Sequence, residues 1–226
     1  MNEPEIDTFV NPFSTKFWTP GTIPYQFYNE KYRDDNEKEL DVNILIGQKI
    51  EFGTIMQIVG SHGSGKSTLL RTLLPFLEQQ HFTVQLEVLN DRQHQLSPNF
   101  LPIRQNKRMF YMIDGYEQLS FLEQIRLRFQ NWGATGGLLL TTHKPIFGIH
   151  VLYRTPPQFE IFVKLVQELT KTYSAIHSFT FETTVLREIY HRANGNFRTA
   201  FFELYDIVQE NEEQEKNRKT KMFGNF

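Results

Sequence analysis

One eight-residue segment has the residue types and the spacing needed to bind a phosphate group. Residues 60–67 read GSHGSGKS and match the pattern G-x-x-x-x-G-K-[ST]. Glycines let a loop turn its backbone N–H groups around an anion, and the N-terminus of a following helix adds positive potential. Lys66 would contact the β- and γ-phosphates of a nucleotide, and the Ser67 hydroxyl would coordinate Mg²⁺. We expect the phosphate site to comprise Gly60, Ser61, His62, Gly63, Ser64, Gly65, Lys66, Ser67 and Thr68.

A carboxylate that could complete a magnesium site follows the apolar run 109–113. Asp114 closes this run as an acid closes a buried strand, and it would bind the hydration shell of Mg²⁺ opposite Ser67. An aspartate at a strand end also suits a helix N-cap or a structural hydrogen-bond acceptor. Because the phosphate loop, residues 60–67, precedes Asp114, we interpret Ser67 and Asp114 as the metal ligands.

Hydrolysis of a nucleotide also needs a group that orients and deprotonates water. The acid nearest to Asp114 is Glu117, which we interpret as the general base; the alternative is an exposed glutamate in the first turn of a helix. The apolar run 138–142 ends in Thr142 and is followed by His143. These two residues could hydrogen-bond the attacking water or the γ-phosphate, or they could cap the next loop.

A further candidate lies near the end of the chain, in the segment 194–198, NGNFR. This segment opens a helix and places Arg198 in its first turn, where the helix dipole disfavours a positive charge. We therefore predict that Arg198 reaches another group, such as a γ-phosphate.

The elements that must position these residues begin near residue 50. Apolar or alternating runs predict strands at 54–59, 83–89, 109–113 and 138–142, with a fifth at 149–153. Residues 67–80 have helical spacing, and Pro75 predicts a kink or an early end in that helix. Strands that alternate with helices favour a parallel sheet covered by helices on both faces.

The period becomes helical after Pro156 and Pro157 and predicts three amphipathic helices. We expect four regions along the chain. They are an irregular arm rich in aromatic residues and proline that lies on the main domain (1–45), the α/β core (46–155), a helical lid (156–209) and a charged tail (210–226).

The composition excludes several classes of protein. The 226 residues are 39% hydrophobic and 22% charged, as in globular chains and unlike disordered or fibrous ones. The absence of cysteine excludes disulfides, thiol nucleophiles and cysteine-ligated metals. A formal charge of -2 provides no overall attraction to nucleic acid. The acidic N-terminus and the lack of a long apolar run predict a cytoplasmic protein with no membrane association.

These motifs together resemble those of P-loop NTPases, and over about residues 46–208 those of the AAA+ and STAND (NACHT-like) ATPases. Residues 114–118, DGYEQ, are similar to D-G-x-D-E; residues 141–145, TTHKP, are similar to the sensor sequence T-[ST]-R-P. Residues 195–198, GNFR, look like the second sensor G-N-x-R. The resemblance implies a three-layer P-loop NTPase core with a parallel sheet and a small all-helical lid. It also implies a site for ATP and Mg²⁺ between core and lid, Arg198 on the γ-phosphate and adenine lined by residues before the first strand.

Other P-loop classes fit the sequence less well. An ABC transporter subunit would carry an LSGGQ-like signature before residue 109, which this sequence lacks, although His143 resembles that family's switch histidine. A GTPase would need N-K-x-D, which is also absent. We interpret the protein as an ATP-hydrolysing regulatory switch, in which the nucleotide state controls lid closure and association with a protein partner or a second copy. The open alternatives are a nucleotide-gated DNA-associated ATPase, which the charge does not support, and a small-molecule phosphotransferase.

Overall fold

A computed structural model describes residues 9–27, 50, 53–100, 108–131, 136–173 and 180–223. The chain forms two compact units, one of Pro20–Pro157 and the other of Met1–Thr19 with Gln158–Phe226. Most of the predicted arm, at 1–8 and 28–45, lies outside the described residues.

The larger unit is built on a five-stranded sheet in the order β2-β3-β4-β1-β5, with every neighbouring pair parallel. The predicted α/β fold, including the fifth strand, is confirmed. Strands β1, β3 and β4 are almost wholly buried, which explains their nearly continuous apolar sequences. Because all strands run in one direction, the residues that follow them meet at one edge of the sheet. The strands are β1 (Ile55–Val59), β2 (Thr83–Val88), β3 (Met109–Asp114), β4 (Gly137–Thr142) and β5 (His150–Arg154).

Helix α1 (Lys66–Gln79) follows the phosphate loop and packs one apolar face on the sheet. Of the two outcomes predicted for Pro75, a kink or an early end, the early end is wrong, because the helix continues to Gln79. A proline inside a helix costs roughly 3 kcal/mol. Pro75 lies on the exposed face, whereas Leu73 and Leu77 are fully buried on the other. Burial of these leucines offsets the missing hydrogen bond and keeps both turns helical.

A second helix of the larger unit, α2 (Phe121–Asn131), follows a short 3-10 helix, Tyr116–Gln118, that begins just after β3. Gly115 between β3 and this turn has a φ of +85°, a conformation that glycine adopts without strain. Among the described helices of the whole chain, none has the uninterrupted apolar length that a bilayer crossing requires.

The smaller unit contains the predicted C-terminal helices, α3 (Phe159–Tyr173), α4 (Thr183–Arg192) and α5 (Phe197–Phe223). The structure differs from the predicted boundary at residue 210, because α5 crosses it without a break. Residues in this stretch favour helix, and the Lys216 ammonium lies 3.3 Å from the Glu212 carboxylate one turn earlier. The predicted charged tail is thus an extension of the last helix as far as Phe223.

The aromatic residues of the arm divide between the two units, unlike the prediction that the arm lies on the main domain alone. In the smaller unit, the Phe13 ring stacks on Phe201. In the larger unit, the Tyr25 and Phe27 rings pack edge-on against Tyr153. The arm therefore contributes to two separate hydrophobic clusters, a division that its composition does not reveal.

Candidate functional site

The phosphate loop connects β1 to α1, and its glycines are required by its shape. A Cβ atom at Gly60 would lie 2.0 Å from the Thr155 hydroxyl oxygen, which leaves no space for a side chain. Gly63 and Gly65 have φ angles of +69° and +91°, in the left-handed region. The loop therefore has the tight, glycine-dependent turn that its sequence pattern predicts.

Two buried hydroxyl groups, one in the loop and one directly after strand β5, fasten the loop to the end of that strand. The Ser64 hydroxyl donates to the Ser61 carbonyl at 2.9 Å and lies 2.7 Å from the Thr155 hydroxyl. The Thr155 N–H donates to the Val59 carbonyl at 2.9 Å, so Thr155 joins the loop to β1 as well. Sequence reasoning missed Thr155, because the motif contains no signal for a residue 91 positions away from Ser64. The side chain of Ser64 thus supports the loop from within.

Lys66 is buried at the start of α1, and its ammonium group folds back over the loop. Its Nζ atom donates to the Gly60 and Ser61 carbonyls, each at 2.8 Å. These bonds hold a positive charge at the loop with only 8% of the residue exposed. A cation held here is suited to stabilise the phosphate oxygens of a nucleotide.

The predicted metal ligands are in contact. The Ser67 hydroxyl donates to Asp114 Oδ1 at 3.0 Å, and the Thr141 hydroxyl donates to the same oxygen at 2.7 Å. Thr141 also accepts the Gly115 N–H at 2.8 Å, which fixes the turn after β3. Hydroxyl and carboxylate oxygens are hard donors of the kind that Mg²⁺ prefers.

The donor set matches magnesium bound together with a nucleotide. Within the part of the chain that the structure describes, His, Cys, Asp and Glu side chains nowhere gather in threes to hold a metal ion. Protein sites for Mg²⁺ typically supply one or two carboxylates and leave the other positions to substrate phosphates and water. Ser67 and Asp114 fit such a site.

The prediction that Thr142 binds the nucleotide is corrected by its hydrogen bond. Its hydroxyl donates to the Gln57 side-chain oxygen at 3.1 Å, inside the sheet, and the residue is only 2% exposed. Side chains alternate along a strand, so when Thr141 faces Asp114 its neighbour faces the other way. The polar side chain that β4 contributes to the site is Thr141.

Glu117 and His143 meet at the edge of the sheet next to the loop. The His143 Nδ1 atom lies 2.7 Å from Glu117 Oε1, and the centre of the His143 ring lies 3.7 Å from that of His62. The two predicted catalytic residues, which are 26 positions apart in the chain, are therefore together, and both are partly exposed. His62 belongs to the phosphate loop and joins the loop to this pair.

The electrostatics of the pair favour a hydrogen bond rather than an ion pair. Burial, with the positive Lys66 and with His62, lowers the pKa of His143 to about 4. Burial also raises the pKa of Glu117, against the opposite effects of its backbone N–H and of Lys66. With Glu117 ionised and His143 neutral, Nδ1–H donates to the carboxylate and Nε2 remains an acceptor. Such a pair can orient a water molecule.

Two more predictions concern residues around this centre. Tyr25, from the segment before β1, lies against the loop, with its ring 3.0 Å from where a Cβ at Gly65 would be. That residues before β1 line the adenine stays a prediction. Arg198 lies in the smaller unit, where its N–H donates to the Asn196 side chain that caps α5. Glu203, an acid further along the same helix, is paired with Arg192. The contact of Arg198 with phosphate stays a prediction.

Comparison with known proteins identifies one matching family and several solved structures with a similar fold. A family model described as ABC transporter matches residues 46–199, more than half of the chain. No curated protein matches. Three of the similar solved structures have identities of 11–13%. A DNA replication initiation factor aligns over 87% of this chain and 72% of its own, with a TM-score of 0.47. AMPPCP-bound DnaA from Aquifex aeolicus aligns over 89% and 75%, with a TM-score of 0.41. C. elegans PCH-2 aligns over 75% and 66%, with a TM-score of 0.39. These likenesses concern the fold alone.

Proposed function

Because the chain belongs to the ABC transporter family as a P-loop ATPase domain, we propose that its phosphate loop binds ATP with Mg²⁺ and that the site hydrolyses it. This family is not the AAA+ and STAND group that the sequence motifs resemble. Because an LSGGQ-like signature is missing, the sequence alone ranks the ABC transporter class lower, and the family match corrects that ranking. The observation that supports the proposal most directly is the contact of Ser67 with Asp114 beside the buried Lys66 ammonium.

Each of these residues has a role in binding. The Lys66 ammonium would exchange the two loop carbonyls for oxygens of the β- and γ-phosphates, which are stronger acceptors because they are charged. Ser67 and Asp114 would hold Mg²⁺, and Thr141 would keep the Asp114 carboxylate oriented. Magnesium supplies charge neutralisation for the phosphate oxygens.

The Glu117–His143 pair would serve the hydrolytic step. In this proposal, the Glu117 carboxylate is the general base that takes the proton of the attacking water, and His143 orients that water. The 2.7 Å contact supports this assignment, since a base held by a second group keeps its direction. His143 is also the residue that resembles the switch histidine of the family.

The proposal extends to regulation by the bound nucleotide. In this proposal, bound ATP favours a closed state of the helical unit and increases the affinity for a protein partner or a second copy of this chain. Arg198 is the residue that senses the γ-phosphate. A differential contact of this kind is what a two-state switch requires.

Nucleotide binding by Lys66→Ala tests the first part. Equilibrium dialysis with ATP should show that binding is lost while circular dichroism retains the fold, because Lys66 serves the phosphates and not the hydrophobic core. Lys164→Ala, at an exposed position of α3, is the matched control and should bind as the wild type does. Normal ATP binding by Lys66→Ala, or a preference of the wild type for GTP, would contradict the proposal.

Hydrolysis by Glu117→Gln tests the second part. The amide keeps the shape of the side chain and its acceptor for His143 but cannot take a proton. We expect kcat to fall by roughly 10²–10⁴-fold with ATP affinity retained. A fall of less than about tenfold would exclude Glu117 as the base.

A further inference from the structure

Gln57 is a polar side chain in the middle of the central strands. It lies on β1, between β4 and β5, and is fully buried. A buried amide costs free energy unless its donors and acceptor are hydrogen-bonded. Its neighbours Met56 and Ile58, which face the other side of the sheet, belong to the apolar core. The sequence pattern of β1 therefore calls for an apolar residue at position 57, and the amide requires an explanation.

The hydrogen bonds of this amide go to one segment, Thr142–Ile149, which runs from the last residue of β4 to the residue before β5. Nε2 donates to the Ile146 carbonyl at 3.0 Å and to the Ile149 carbonyl at 2.8 Å. Oε1 accepts the Ile146 N–H at 2.9 Å and the Thr142 hydroxyl at 3.1 Å. Two donors and two acceptor positions are thus used, which is the full capacity of a carboxamide.

The orientation of the amide is determined by these partners. The Ile146 N–H can only donate and the Ile149 carbonyl can only accept. Exchanging the oxygen and nitrogen of the Gln57 amide would therefore place a donor against a donor and an acceptor against an acceptor. An apolar residue of similar size would leave these backbone groups inside the protein without their partner, at a cost for each.

His143 lies between two of the attachment points. Thr142 precedes it directly, and Ile146 follows three positions later, so both flanks of the histidine are bonded to the same side chain. The four hydrogen bonds of the Gln57 amide go to Thr142, Ile146 and Ile149 and not to the imidazole. It acts on the segment that carries His143, and His143 in turn contacts Glu117 at 2.7 Å.

We propose that Gln57 is a positioning residue, whose amide holds the Thr142–Ile149 segment so that the His143 imidazole meets Glu117. This inference rests on the proposed function for the catalytic consequence, but not for the geometry. A competing explanation is that the segment is held by packing alone, since Ile146 and Ile149 lie in the apolar cluster with Tyr116 and Leu119. In that case the loss of the amide would reduce stability without moving His143.

The test compares Gln57→Met with Met56→Ala. Methionine keeps an unbranched side chain and removes all four hydrogen bonds, whereas Met56→Ala opens a cavity on the opposite face of the same strand. For each variant, three quantities are measured under conditions where circular dichroism shows a folded protein. The first is the nitrogen NMR signal of the His143 Nδ1–H in protein labelled at histidine, assigned by its loss in His143→Gln. The other two are kcat for ATP and Kd for MgATP.

We expect Gln57→Met to lose the His143 Nδ1–H signal and to lower kcat by roughly 10–100-fold, since small displacements of catalytic groups have effects of this size. Its Kd for MgATP should stay within about threefold of the wild type, because in the proposed function His143 orients the attacking water and does not hold the nucleotide. Met56→Ala should keep the signal. An unchanged signal in Gln57→Met would overturn the proposal, whatever the activity.

The same measurement separates this proposal from the proposed function. If the signal disappears in Gln57→Met while kcat is unchanged in both Gln57→Met and His143→Ala, Gln57 positions His143 but the catalytic role of the pair is wrong. If Gln57→Met does not fold, Thr142→Val decides, because it removes only the bond from the threonine hydroxyl. A weakened His143 signal in Thr142→Val supports the proposal, and an unchanged one overturns it.

Discussion

At the scale of single residues, the site is a set of short polar contacts around Asp114. Two hydroxyl groups, from Ser67 on α1 and Thr141 on β4, donate to the same carboxylate oxygen. Thr141 donates from within the sheet, so it can keep this bond when Ser67 turns towards a metal ion. Thr141 would therefore orient the Asp114 carboxylate, whereas Ser67 would coordinate the metal ion together with it.

Asp114→Asn tests the charge of this carboxylate. Asparagine retains an oxygen that accepts both hydroxyl groups but removes the negative charge. We expect the affinity for ATP to fall in the presence of Mg²⁺ and to change little in EDTA, as isothermal titration calorimetry would measure. Equal losses in both conditions would favour a purely structural role. Thr141→Val is the control for orientation, since it keeps the charge.

The pKa of His143 is a second test at this scale. Burial, Lys66 and His62 lower it to about 4, so the imidazole is neutral at pH 7. Lys66→Met removes a nearby positive charge, which makes protonation easier. We therefore expect the pKa of His143 to rise towards its ordinary value of 6.5 in this variant, as an NMR titration would record. An unchanged or lower pKa would contradict the electrostatic explanation, and Lys144→Met offers a control at an exposed neighbour.

At the scale of elements, the phosphate loop depends on the strand beside it. The hydroxyl pair of Ser64 and Thr155 ties the loop to the end of β5, and Gly60 is small because Thr155 fills the space next to it. The loop is thus shaped by a strand that contributes no residue to the phosphate-binding sequence motif.

Thr155→Val tests this dependence. Valine has nearly the same shape but lacks the hydroxyl, so it leaves the Thr155 backbone bond to Val59 and removes the bond to Ser64. Loss of one buried hydrogen bond costs about 0.5–1.5 kcal/mol. We expect ATP affinity to weaken by up to about tenfold, as fluorescence titration would measure. Ser61→Ala is the matched control, since the bonds to Ser61 use its carbonyl. Wild-type affinity in Thr155→Val would show that the loop holds its shape without β5.

At the scale of the whole molecule, the chain consists of an α/β unit that carries the site and a helical unit that carries Arg198. The chain passes from one unit to the other twice, after Thr19 and after Pro157. The rings of Pro156 and Pro157 restrict the backbone directly before the second crossing. The proposed switch requires that the helical unit respond to the nucleotide, and Arg198 is the residue we assign to that response.

Arg198→Ala tests the response. A guanidinium on the γ-phosphate would form a charge-assisted contact that ATP offers and ADP does not. We expect its loss to weaken ATP binding by about 1.5–3 kcal/mol and ADP binding little, as titration of both nucleotides would determine. Arg192→Ala, which breaks the ion pair with Glu203 in the same unit, controls for general effects. Small and parallel changes for both nucleotides would show that Arg198 does not sense the γ-phosphate.

The sequence by itself determined the five strands, the phosphate loop and the pairing of Ser67 with Asp114. These features depend on local patterns: buried parallel strands are apolar throughout, and the loop motif contains its own glycines, lysine and serine. Because the carboxyl ends of parallel strands share one edge, residues at strand ends could be expected to meet.

Only the tertiary structure decided which side chains point into the site and what holds them there. A strand buried on both faces has no alternation in its sequence, so nothing local indicates that Thr141 and not Thr142 faces Asp114. Gln57 and Thr155 act through hydrogen bonds to residues far away in the chain, and Pro75 is tolerated because Leu73 and Leu77 are buried against the sheet. The physical reason is the same for all of them: their partners are set by the order and direction of the strands, which bring together groups that no local pattern connects.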